Sequence, residues 1–344
     1  MRRPHAHPSV LVSVGRGAAC VVIMALLGAS SVASSANGAS PSFTDPTEPC
    51  LPTICESLEG KYVYQFAWNG IPSAKCEVVV SLVGTNERPY YCFEGTARTS
   101  KLADIFWRFR ARAVALVDAL SGRAKEIHVT ESENAILEES VTVFNHESLE
   151  AHYIRWKRGR TKDKTISLED GIVDLPNLGL TIGCRPLEVG DAGSLKVLIG
   201  EDPYSFDYRV TARERVRTAR KEFEAFRVIP TFRKIEAEKE NKLPKVKEMT
   251  VWLSGSEPHI PLMMRSKTFI GYVTGKLVQM QTASELDGEE PARVSSVTSH
   301  VSDFNTCFPA PLAAPFRVCP MIDGHRISER ISRTGDNARV TVSE

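Results

Sequence analysis

The chain has 344 residues, 42% of them hydrophobic and 25% charged, with a formal net charge of +1. Those proportions are ordinary for a globular protein, and a chain this long buries enough surface to fold without a metal or disulfide. Near-neutral charge gives nucleic-acid binding no electrostatic support.

Arg2, Arg3 and Arg16 make a basic start, Ala18 to Leu27 is an apolar run, and small residues follow up to Ala36. That order predicts a secretory signal peptide over residues 1–36 and a periplasmic or otherwise extracytoplasmic protein. The run is too short for the roughly 30 Å of a bilayer core, and no later stretch approaches about 18 apolar residues. No transmembrane span is therefore expected after cleavage. A lipid anchor at Cys20 stays open, because Gly17-Ala18-Ala19-Cys20 has the small residues of a lipobox although Arg16 interrupts its apolar lead. Residues 37–57 read as a flexible lead-in rich in Ser, Pro and Thr.

Export changes the reading of cysteine, since thiols in an oxidising compartment usually pair. Seven of the eight cysteines follow the leader, an odd number that leaves at least one without an intrachain partner. Cys50 with Cys55, Cys307 with Cys319, and Cys76 with Cys92 across a hairpin are the candidate disulfides. No C-x-x-C pair occurs and no histidine stands at ligand spacing from two cysteines, so neither zinc nor another cofactor is expected.

From Leu58 to residue 282 the dominant period is two. Tyr62, Tyr64, Phe66 and Trp68 alternate with Val63, Gln65 and Ala67, and Tyr204, Phe206 and Tyr208 alternate with Ser205, Asp207 and Arg209. Successive strand side chains point to opposite faces, so each run sets its aromatics on one side. Further strands are expected at 74–83, 89–97, 107–118, 124–133, 137–145, 150–158, 194–200, 223–235, 245–254 and 262–281, with a short helix near Ser100 to Phe106. Residues 124–158 also contain good helix formers, but Val129, Val141 and Val143 favour strands. The expected fold is mainly β: a curled antiparallel meander, barrel-like or spiral, of about twelve strands with one or two short helices. Residues 283–344 read as a polar tail whose one ordered feature is a Cys307–Cys319 loop.

Catalytic signatures are missing: there is no G-x-S-x-G elbow, no H-E-x-x-H and no phosphate-binding glycine loop. Paired carboxylates on separate strands are not excluded. Tyr62, Tyr64, Phe66, Trp68, Tyr204, Phe206 and Tyr208 are candidates to line a cavity, against the plainer reading of a core. Arg108, Arg110 and Arg112 share a face at i, i+2 and i+4, as do Arg209 and Arg213 by simple alternation. Guanidinium forks there suit an anion, against the plainer reading of a solvated face with acidic neighbours such as Glu131 and Glu133.

With the strands placed, FAWNGIPSAKCEVVV (Phe66 to Val80), SKLADIFWRFRARAVALVD (Ser100 to Asp118), LEVGD (Leu187 to Asp191), EMTVWLS (Glu248 to Ser254) and IPLMMRSKTFIGYVTGKLV (Ile260 to Val278) resemble, in order and spacing, the exported bacterial family "domain of unknown function 3108". The resemblance runs from about Leu58 to Met280. It implies an envelope location and a curled antiparallel sheet, and supplies no activity and no catalytic residues. Three departures stand out: residues 172–186 are shorter than the usual helical connection, Lys221-Glu222 occupies a hairpin where glycine is usual, and the cysteine-bearing tail after residue 283 lies outside the resemblance. The expected function is a non-enzymatic envelope protein that binds a protein, glycan or lipid; the alternative is a carbohydrate-active enzyme with carboxylates on neighbouring strands.

Overall fold

The computed structural model describes residues 58–85, 87–169, 171–235, 249–268 and 271–282. The expected leader, lead-in and tail lie outside the described residues, and with them Cys50, Cys55, Cys307 and Cys319.

Fifteen strands form one sheet: β1 (Gly60–Trp68), β2 (Ile71–Thr85), β3 (Arg88–Thr99), β4 (Phe109–Asp118), β5 (Ala124–Glu133), β6 (Ile136–Asn145), β7 (Glu150–Lys157), β8 (Arg160–Ser167), β9 (Val173–Asp174), β10 (Ala192–Ile199), β11 (Asp202–Thr218), β12 (Lys221–Lys234), β13 (Met249–Ser254), β14 (Pro261–Lys267) and β15 (Tyr272–Thr282). Among the described residues, a 3-10 turn (Ala103–Ile105) precedes β4, and one helix, α1 (Leu175–Gly183), follows β9. The fold class is the expected one, mainly antiparallel β, with more strands than the twelve anticipated. β8 (RTKDKTIS) was not anticipated because five of its eight residues are Arg, Lys, Asp or Ser, with no aromatic. Residues 262–281 are two strands rather than one. Apolar residues run on through their connecting turn, and Gly271 (φ 78°) makes it possible, since a Cβ there would overlap the Asn69 amide.

The sheet is a meander with an unusual starting point. Its order is β8-β7-β6-β5-β4-β3-β2-β1-β15-β14-β13-β12-β11-β10-β9, so the first and last strands pair with each other at its middle. The edges, β8 and β9, are consecutive in the chain. All neighbours are antiparallel except β9 and β10. Tight turns join several hairpins through paired left-handed residues, which match the right-handed twist of the strands: Asn69-Gly70, Asn134-Ala135, Arg158-Gly159 and Ala219-Arg220. The last of these places the β11–β12 turn ahead of Lys221-Glu222, which already belong to β12.

Curling brings the two edges together through side chains. Ala151, Tyr153, Ile166 and Leu168 from the β7–β8 side pack with Leu198 of β10. Lys162 pairs with Glu201, Lys196 with Glu169, and Asp174 accepts the Ala124 amide N–H at 3.2 Å. The main core lies inside the curl, where Tyr62, Tyr64, Phe66, Val78, Phe206, Phe232, Val251 and Leu277 meet Leu175, Leu178 and Leu180 of α1.

The expected Cys76–Cys92 disulfide is not formed. In the β2–β3 ladder Cys76 stands opposite Ala97, and Cys92 stands opposite Ser81. The two thiols are displaced along the hairpin and face opposite sides, and both are unpaired. Burial pushes Cys76 up to about 12 and Cys92 up to about 11, with Glu77 and Glu94 adding to the rise, so both are poor nucleophiles at neutral pH.

An apolar cavity beneath the helix

Helix α1 is short and carries two glycines, and its own propensity is weak. It forms because Asp174 caps it, accepting the Asn177 N–H at 2.9 Å, and because Leu175, Leu178 and Leu180 bury into the curl. Asp174 is fully buried, and desolvation pushes its carboxyl up to about 6 against the pull of its backbone donors. The loop between β13 and β14 is tied to the helix end, where the His259 N–H donates to Gly183 O at 2.7 Å.

Between α1, this loop and the inner faces of β1, β2, β11, β12 and β13 lies a cavity of about 80 Å³. One water needs about 10–15 Å³ of such space, so the void exceeds a packing defect. Tyr62, Tyr64 and Phe206 line it from the sheet, with Val78, Val80, Val228, Val251 and Leu253; Leu178, Leu180 and Ile182 line it from the helix. Tyr64 is only 3% exposed, and burial, with Cys76 and Tyr62 beside it, holds its phenol far above the usual range. The Tyr62 hydroxyl donates to Leu58 O at 2.8 Å. His259 also lines the cavity and is 6% exposed. Its Nδ1 lies 2.6 Å from Ser254 O, and a carbonyl only accepts, so Nδ1 carries the proton. In the neutral ring Nε2 is then a buried acceptor, and it has no donor among the described residues.

The other aromatic candidates sit elsewhere. Phe66 is buried and packs on Gly275, where a Cβ would come within 2.6 Å of its ring. Tyr204 is buried in the core. Tyr208 covers Gly193 in the same manner, and its buried hydroxyl has no partner among the described residues. Trp68 is 45% exposed at the end of β1 and belongs to neither core nor cavity. The helix and the β13–β14 loop were not named as cavity walls from sequence, although Asp174 followed two residues later by Pro176 is a recognisable helix start.

The arginines separate. Arg110 makes a two-pronged pair with Asp104, at 2.6 and 3.0 Å, which holds that carboxyl below its usual range. Arg112 pairs with Glu94 at 2.6 Å, and Arg108 is exposed. Arg209 is also exposed and stands opposite Ile229, whereas Arg213 stands opposite Phe226 and lies 5.6 Å from its ring. Residues 229 and 226 are an odd number apart on β12. A bulge between Val210 and Ala212 has therefore turned Arg213 to the other face, and the shared face expected by alternation does not form.

Glu131 and Glu133 do not partner these arginines. They lie opposite the buried Ala111 and Phe109, on the concave face. Glu131 stands opposite Glu138 of β6, and Glu138 opposite Lys157 of β7. Lys157 and Arg155 both reach Glu138, Arg155 at 3.5 Å. Burial, then the charge of Glu138, pushes Glu131 up to about 7. Among the described residues no three His, Cys, Asp or Glu side chains gather as a metal would require.

Fold and site together define a class: a curled antiparallel sheet, left open at one seam, with an apolar cavity capped by a single helix. The chain belongs to the family described as "Protein of unknown function (DUF3108)", whose profile matches residues 63–278. Among solved structures it is similar to a beta-barrel-like protein of domain of unknown function DUF1849 from Brucella abortus, at 11% identity and TM-score 0.43, over 65% of this chain and 97% of that one. It is also similar to a Bacteroides fragilis protein with a YmcC-like fold, at 7% identity and TM-score 0.32, over 67% and 100%. No curated protein matches the sequence.

Proposed function

We propose that this chain is a non-enzymatic envelope protein that holds an apolar chain, such as a lipid acyl tail, in the cavity beneath α1. The observation that carries the proposal is the lining itself: aliphatic and aromatic walls from the sheet and the helix, around space that a wholly packed core would fill. Dry apolar cavities take up apolar guests. His259 Nε2 adds an acceptor in the same wall for a hydroxyl or protonated acid. The leader and the family resemblance support an envelope location, and no helix among the described residues is long and apolar enough to cross a membrane. Titration with a dansylated fatty acid tests it. Saturable enhancement is expected in the parent, weakened roughly tenfold in Ile182→Trp, whose indole would occupy the void. A parent protein that neither binds the probe nor co-purifies with lipid rules the reading out.

One observation favours a second reading. Glu131 and Glu138 face each other on the concave side, one with its carboxyl pushed up to about 7 by burial and the other paired with Lys157 and Arg155. Opposed environments of that kind mark an acid and its partner in glycoside hydrolysis. Turnover of chromogenic glycosides that Glu131→Gln abolishes would favour it; no turnover discards it.

A further inference from the structure

One end of the sheet carries an apolar rim that no core claims. The β1–β2 turn presents Trp68 and Ile71, the start of β15 presents Tyr272, and the connection into β4 presents Leu102, Ile105 and Phe106. All six are exposed, Ile105 at 73% and Phe106 at 78%. The three segments form one rigid edge. The Asn69 N–H donates to Tyr272 O and the Tyr272 N–H to Asn69 Oδ1, both at 2.8 Å. The Ser100 N–H donates to Ser73 O at 2.8 Å, and its hydroxyl to Pro72 O at 3.1 Å. Large apolar residues gathered on ordered turns are unusual on a surface that meets only water.

A row of cations runs behind this rim on the outer face. Ladder partners across β15, β1, β2, β3 and β4 read Lys276, Gln65, Lys75, Arg98, Arg110. Like charges directly opposite one another destabilise a sheet, yet here Lys75 faces Arg98 and Arg98 faces Arg110. Asp104 neutralises Arg110 alone. Glu77 bonds Lys61 at 2.8 Å and reaches Lys75 only at 4.0 Å. Arg98 and Lys276 have no ion pair among the described residues. Lys75 stands four residues from Ile71, or about 13 Å along the strand.

We propose that this end of the sheet docks on an anionic phospholipid surface, the rim entering the acyl boundary and the cation row meeting the phosphates. The dimensions agree, since interfacial side chains reach about 5–10 Å into a bilayer. Trp68 and Tyr272, amphipathic rings at the rim, suit the headgroup level. Charge decides between occupants: a row of cations in which Arg98 and Lys276 have no ion pair among the described residues, and Lys75 only a 4.0 Å contact, selects an anionic layer. The proposal is independent of the cavity and of whatever the cavity holds.

Co-sedimentation of the exported protein with vesicles tests it, using equal parts phosphatidylglycerol and phosphatidylethanolamine against phosphatidylcholine alone. Binding is expected on the anionic vesicles, falling with added salt. It should weaken roughly tenfold in Ile105→Ser/Phe106→Ser, both exposed and so neutral to folding, and again in Lys75→Ala/Arg98→Ala. A blue shift of fluorescence on binding should disappear in Trp68→Phe. No binding to either vesicle, or binding that the rim substitutions leave unchanged, overturns the proposal; the first outcome would leave the rim to a protein partner.

Discussion

Single residues here are governed by which face they occupy, and Glu131 illustrates the consequence. Burial on the concave face, then the charge of Glu138, lifts its carboxyl from an ordinary 4.5 to about 7, against the pull of Lys157 and Arg155. Below 4.5 both folded and unfolded chains hold the proton, and the group contributes no difference. Between 4.5 and about 7 the folded chain keeps a proton that the unfolded chain releases, so this residue's contribution to stability falls as pH rises. Glu131→Gln should therefore leave the urea midpoint unchanged near pH 4 and raise it near pH 8. An equal effect at both values would show that the carboxyl ionises normally. Burial at this position was not legible in the sequence. Glu131, Glu133 and Glu138 look like solvated strand residues until the β4–β5 ladder sets the first two against Ala111 and Phe109.

At the scale of elements, α1 shows how context makes a helix that propensity would not. Its cap is also its anchor: Asp174 accepts one N–H from Asn177 within the helix and one from Ala124 at the start of β5. Asp174→Ala orphans two buried donors and should cost about 2–3 kcal/mol in chemical denaturation, with dansyl fatty-acid binding weakened as the cavity roof loosens. A change under about 0.5 kcal/mol would mean that packing alone holds the helix. Strands with aromatic or β-branched alternation, such as β1 and the first half of β11, were readable directly. β8 was not, because pairing with β7 rather than composition makes it a strand. The bulge in β11 left no mark in the alternation of Arg209 and Arg213, since it is an event of pairing between two strands.

For the whole molecule, the order of strands decides where the sheet is strong. β1 and β15 have ladders on both sides at the middle of the sheet, whereas β8 and β9 each have one backbone partner and meet through side chains. Amide exchange followed by mass spectrometry should find the slowest exchange in β1 and β15 and the fastest strand exchange in β8 and β9. Protection at β8 equal to that at β1 would mean that the seam closes with backbone hydrogen bonds. Exposed apolar residues follow the same geography. The turn with Trp68 and Ile71 and the connection with Ile105 and Phe106 are separate segments of the chain, and the β1–β2–β3 ladder brings them to one end.

The sequence by itself determined the class of fold, the period of its strands and the family, because alternation and local propensity act within a few residues. It also marked the aromatics of β1 and β11 as one-sided. Which of them would line a cavity was decided only by tertiary structure. Tyr62, Tyr64 and Phe206 reach that space because β1 and β11 face each other across the curl and α1 leaves room beneath it. Ladder register separated Cys76 from Cys92, and a bulge divided the arginines. Register and curvature arise from contacts between segments distant in the chain, which no local pattern records.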